Sequence, residues 1–132
     1  MNAGRAARKA GVSFIRVFGS SVRSNISLPR DLDIVISKPL TFSVLSRFTG
    51  CLEKIFGCSI DIVQLKPGLS PLLVREIAKE SSVIWESPKV GRKAYAQLMD
   101  RLLAIAEDEL LSYPPELRAL SIKLTQRKLD IA

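Results

Sequence analysis

Three aspartates stand where aspartate is uncommon. Asp31 and Asp33 sit two positions apart inside the apolar run Asp31-Leu-Asp-Ile-Val-Ile-Ser37, and Asp61 lies in a similar run, Ser59-Ile-Asp-Ile-Val-Gln-Leu65. In an extended strand residues i and i+2 share a face, so Asp31 and Asp33 stand side by side with Leu32 and Ile34 turned the other way. Two carboxylates within about 7 Å on a half-buried face raise each other's proton affinity unless a cation sits between them. A divalent metal is the commonest such cation. If the strand of Asp61 pairs beside that of Asp31 and Asp33, the three carboxylates make a hard oxygen site suited to Mg2+ or Mn2+ and ill suited to zinc.

A second group of residues complements the first. Gly19-Ser20-Ser21 comes directly after the β-branched and aromatic stretch from Val12 to Phe18. Glycine lets backbone approach a ligand closely, and the amides that open a following helical turn face outward toward phosphate. Ser20 and Ser21 add hydroxyl donors, and Arg23, with Arg30 as a weaker candidate, offers a guanidinium fork to the remaining phosphate charge. Carboxylates that hold metal, facing a phosphate cradle, describe a two-metal displacement at a nucleotidyl group. One ion would hold the triphosphate and the other would activate an attacking hydroxyl, with Asp61 placed to take its proton.

Composition narrows the alternatives. The 132 residues contain no histidine, which removes the Ser-His-Asp and Cys-His triads, histidine zinc sites and imidazole bases. Two cysteines, Cys51 and Cys58, are too few for a four-thiolate zinc site or a disulfide framework and point to a reducing cytoplasm. The basic start runs into an apolar stretch that Arg16 interrupts too early for a signal peptide, and no window approaches the roughly 20 apolar residues of a membrane span. Twenty Lys and Arg against 13 Asp and Glu give a net charge of +7. Residues 1–50 hold eight of the bases and only two acids, Asp31 and Asp33, so +6 of the excess surrounds the acidic pair. The charge suits a nucleotide pocket or an acidic protein surface. Aromatics at 6% and the lack of an aromatic RNA-binding signature argue against direct nucleic-acid binding.

Periodicity and punctuation supply the framework around these residues. Residues 3–10 are Ala-rich and predict a short helix ended by Gly11. Strands are expected over 12–18, 31–37, 59–65 and 82–86, with a short helical turn over Ser21–Ser24. Thr41 caps a helix whose apolar residues Phe42, Leu45, Phe48, Leu52, Ile55 and Phe56 recur every three or four positions up to Gly57. Ser70-Pro71 starts another helix, to about Glu80. Ser87-Pro88 opens a long helix to about Ser112, striped by Tyr95, Leu98, Leu102, Ile105 and Ala106, and Pro114-Pro115 separates it from a last one striped by Leu117, Leu120, Leu124 and Ile131. The expected organisation is one domain: an α/β (α+β) core over 1–86 and a C-terminal helical extension over 87–132 that packs on the core or on a partner.

The spacing Gly19-Ser20, ten residues, Asp31-x-Asp33 and a later strand-borne Asp61 resembles the signature of the DNA polymerase β nucleotidyltransferase superfamily, and the small size resembles its minimal nucleotidyltransferase (MNT) branch. The resemblance covers about residues 12–86, including the stretch from Pro71 to Glu86 that is similar to the closing helix and strand of such domains. It implies a small mixed sheet flanked by helices and Mg2+- or Mn2+-dependent chemistry on ATP. It further implies a HEPN-domain ribonuclease toxin as partner in a hetero-oligomer, with AMP transferred to a toxin tyrosine hydroxyl. Asp31, Asp33 and Asp61 would be catalytic and metal-binding, and Gly19, Ser20, Ser21 and Arg23 nucleotide-binding. Two other readings stay open: an antitoxin that silences its partner by complex formation alone, and a basic RNA-binding domain.

Overall fold

The computed structural model describes residues 2–19 and 31–115. Its elements are α1 (Ala3–Ala10), β1 (Phe14–Phe18), β2 (Asp31–Ile36), α2 (Phe42–Phe56), β3 (Ser59–Gln64), α3 (Pro71–Lys79), β4 (Ser81–Glu86) and α4 (Gly91–Leu111). The four strands form one sheet in the order β3-β2-β1-β4. β2 and β3 are parallel, joined by the crossover helix α2, while β1 runs antiparallel to both β2 and β4. The mixed sheet flanked by helices is the architecture that the resemblance implies.

Local chemistry sets the helix ends. The Asn2 side chain accepts from the Arg5 amide at 2.9 Å to start α1, and the Thr41 hydroxyl accepts from the Val44 amide at 3.4 Å to start α2. Both helices stop on glycines in the left-handed region, Gly11 and Gly57, whose amides return to carbonyls of the last turn. Proline opens α3, where its missing N–H costs no intrahelical bond.

Strand alternation divides the core in two. On one face Ile15, Ile34, Ile36 and Ile60 pack under α1 and α2, together with Phe48 and Leu52. On the other, Phe14, Phe18, Val35 and Leu65 pack under α3 and α4 with Val74, Ile77, Met99, Leu102 and Ala106. Asp31 and Asp33 alternate in step with Val35, so they lie on the α3/α4 side of the sheet.

The long helix begins later than its sequence suggests. The Ser87-Pro88 opening gives way to a turn in which the Ser87 amide donates to the Ser13 carbonyl at 2.8 Å and the Gly91 amide to the Ser87 carbonyl at 2.9 Å. The helix starts at Gly91, with Val90 at its N-cap position and no side-chain cap. The start is tightly packed: a Cβ at residue 91 would lie 2.7 Å from the Ser13 carbonyl oxygen and 2.7 Å from the Glu86 Cβ, so only glycine lets α4 begin this close to Ser13 and the end of β4. The expected turn over Ser21–Ser24 and the helix beyond Pro115 fall outside the described residues. Among the described residues no helix is long and apolar enough to cross a membrane.

Replacing Gly91 by alanine should therefore destabilise the chain although alanine is the better helix former. The expected loss is about 1–3 kcal/mol, the range for forcing extra volume into a packed site, read as a lower midpoint in urea unfolding. An unchanged or higher midpoint would show that the α4 start yields easily.

Candidate active site

The parallel pairing of β2 with β3 brings the three aspartates together. In its register Asp31 faces Ser59, Leu32 faces Ile60, and Asp33 faces Asp61 directly. Side chains opposite one another in a ladder share a face, so Asp31, Asp33 and Asp61 all project on the α3/α4 side of the sheet. Asp33 is half-buried, between β3 and β1, whereas Asp31 and Asp61 are exposed. The condition on which the role of Asp61 depends, that its strand lie beside that of Asp31 and Asp33, is met.

Gly19 closes the site from the other side. Asp33 also pairs with Phe18 across the antiparallel ladder, so the residue after Phe18 leaves the sheet beside the Asp33 carboxylate. Gly19 is buried with φ at +77°, in the left-handed region that favours glycine. A Cβ there would stand 3.0 Å from Asp33 Oδ2 and 3.8 Å from its Cγ. The first residue of the Gly-Ser turn thus lies against the central carboxylate, and any side chain would intrude on it. Ser20, Ser21, Arg23 and Arg30 fall outside the described residues. Lys38, two residues beyond the far end of β2, is exposed beside Gly11 and away from the aspartates.

The donor set fits a hard divalent cation: three carboxylates on one face and no histidine in the chain. Among the described residues, no three acidic or thiol side chains stand close enough to enclose an ion as they are oriented. The backbone geometry nonetheless brings them within reach, because parallel strands lie about 4.8 Å apart and side-chain rotation alone changes the separation of the carboxylates.

One residue of this face carries only a weak signal in the sequence. Arg16, in the middle of β1 and opposite Val35, is half-buried on the aspartate side. Its Nε donates to Ser81 Oγ at 2.8 Å and its Nη2 to the Ser81 carbonyl at 3.0 Å. Its guanidinium lies 3.9 Å from the Tyr95 ring centroid, and the Tyr95 hydroxyl is 3.1 Å from Ser81 Oγ. Phe14 meets the Tyr95 ring edge-on at 5.3 Å. The network ties β1, β4 and α4 together and keeps a cation on the face that carries the acids. The available clue is a charged residue in an otherwise apolar strand, but its partners lie 65 and 79 positions away. Tyr95, which the helical stripe marks only as core, is one of them. Cys51 and Cys58 are half-buried free thiols outside this site.

Comparison with known proteins places this geometry. The family model described as polymerase beta, nucleotidyltransferase, matches residues 5–89. No curated protein sequence matches the chain. Among solved structures, a chain from a toxin–antitoxin crystal structure with AMP-PNP is similar at a TM-score of 0.61 and 15% identity, covering 95% of this chain and 99% of that one. A chain from the complex of a tri-AMPylated HEPN toxin with its MNT antitoxin, from Shewanella oneidensis, is similar at a TM-score of 0.60 and 14% identity, covering 92% and 91%. At these identities the likeness is one of fold. A minimal nucleotidyltransferase is 28% identical over 61% of this chain and 83% of its own, with a TM-score of 0.50. The family match spans Gly19, Asp31, Asp33 and Asp61, and the chain belongs to the polymerase beta nucleotidyltransferase family.

Proposed function

We propose that this chain transfers AMP from ATP to a hydroxyl, a tyrosine in the simplest case, on a HEPN-domain partner protein, and so acts as its antitoxin. The observation that carries the reading is the direct pairing of Asp33 with Asp61, with Asp31 on the same face and Gly19 against Asp33. It is supported by the family match and by the similar structures, one with AMP-PNP and one with an AMPylated HEPN toxin.

Asp31, Asp33 and Asp61 would hold Mg2+ or Mn2+. When bound, such an ion offsets triphosphate charge and makes a coordinated hydroxyl a better nucleophile. The remaining work falls to the protein. The turn from Gly19, with Ser20, Ser21 and Arg23, binds the triphosphate through backbone amides, hydroxyls and a guanidinium. Gly19 keeps the α-phosphorus next to Asp33. Asp61, the exposed member of the facing pair, accepts the proton of the attacking hydroxyl. The acceptor oxygen forms a bond to the α-phosphorus, the bond from that phosphorus to the bridging oxygen breaks, and pyrophosphate leaves.

Incubation with α-labelled ATP, Mg2+ and the product of the adjacent gene should label that protein. The Asp31→Asn, Asp33→Asn double variant should lose roughly 10³-fold or more in rate, corresponding to several kcal/mol of transition-state stabilisation. Labelling that is absent, or unchanged in the double variant, would refute the transferase reading. If the double variant still protects cells from the partner, inhibition by complex formation replaces it.

Gly19→Ala tests the close approach separately. The substitution adds left-handed backbone strain of about 1–2 kcal/mol and pushes a methyl toward Asp33 Oδ2. The expected result is a large fall in kcat with the fold retained by circular dichroism. Near-normal kcat would mean that the turn does not position substrate against Asp33.

A further inference from the structure

The opposite side of the molecule holds a feature that nucleotidyl transfer does not use. Between α1 and α2, in the layer away from the aspartates, lies an open cavity of about 520 Å³. Its floor includes the small residues Ala6, Ala10 and Gly50, and three cations line it: Lys9 from α1, and Arg47 and Lys54 from α2. All three are exposed, and none of the residues lining the cavity is acidic.

Gly50 is the informative residue. It sits in the interior of a 15-residue helix, where glycine is destabilising relative to alanine. A Cβ at this position would meet nothing within 4 Å, so no described contact within the chain requires its absence. Glycine at such a place suits an external backbone that must come close. Small residues on both walls let a third helix settle at normal helix-packing distance, about 8–10 Å between axes. Arg47 and Lys54 are seven residues apart, two turns on one side of α2, and Lys9 faces them across the groove. Acids spaced by one or two turns on a docking helix would meet all three. Residues 116–132 of this chain carry four bases and two acids and do not complement such a groove.

We infer that the α1/α2 groove is the docking site for an acidic, apolar-backed helix of the protein partner, seated on the side of the sheet remote from the catalytic aspartates. The inference rests on the partner reading above. It separates holding the partner from modifying it: one surface retains the protein while the other acts on a hydroxyl.

The test is the affinity of the adjacent gene's product for full-length variants, measured by titration calorimetry at two salt concentrations. Wild type and Asp33→Asn should bind alike. Lys9→Glu with Lys54→Glu should bind at least roughly tenfold more weakly and with a flatter salt dependence, because the complementary charge is reversed. Gly50→Leu fills open space in a helix and should leave the melting temperature unchanged or higher while weakening binding to a similar degree. If wild type binds and both groove variants bind equally well, the docking site lies elsewhere and the transferase reading stands. If wild type fails to bind, the partner assignment falls and this inference with it.

Discussion

The structure turns on the parallel, in-register ladder between β2 and β3, which sets Asp33 directly opposite Asp61. Like charges facing each other across a ladder are destabilising, and the burial of the neighbouring apolar residues offsets that cost. Ile34, Val35 and Ile36 continue β2 with no solvent exposure, and Ile60 precedes Asp61 at 7% exposure. A slip of one residue would turn Ile34 and Ile36 from the α1/α2 core to the other face. The hydrophobic register therefore enforces the electrostatic one: while the core is packed, the acids stay opposed.

The same alternation assigns opposite roles to the two faces of the sheet. On the α3/α4 side β2 and β3 carry acids near their starts, and Arg16, clamped by Ser81 and Tyr95, stands on the same face. On the α1/α2 side the helices present bases around a shallow apolar groove. The charge excess of the first 50 residues thus has two destinations. Part of it belongs to the segment around the Gly-Ser turn, and part, Lys9 and Arg47, faces outward on the helical layer. The sum of +7 describes neither environment by itself.

Much of this is legible from local pattern. The Asp31-x-Asp33 spacing marks a strand because period-two alternation is a local property, and Gly11, Gly57 and Thr41 mark helix ends because caps are local chemistry. The relation of Asp61 to Asp33 is legible only conditionally, since pairing between strands 28 positions apart is decided by the whole sheet. The start of α4 differs from expectation because Ser87-Pro88 is a sound local opening signal with a distant competitor. The Ser13 carbonyl, 74 residues before Ser87, takes up the Ser87 amide and ties the turn before α4 to the chain that leads into β1. The Arg16–Ser81–Tyr95 network is invisible in the sequence for the same reason. Gly50 is the converse case: the helical stripe gives it no role, and only the open space in front of it in the structure does.

Whether the facing aspartates form a site for a divalent cation can be read from thermal unfolding with and without Mn2+, in wild type and in Asp61→Asn. A ligand that binds only the folded state raises the melting temperature, and removing one of two opposed like charges removes their repulsion. Millimolar Mn2+ should raise the melting temperature of wild type, whereas Asp61→Asn should melt no lower than wild type without metal and gain little from Mn2+. An equal Mn2+ increment in both proteins would contradict a cation site built on the Asp33–Asp61 pair.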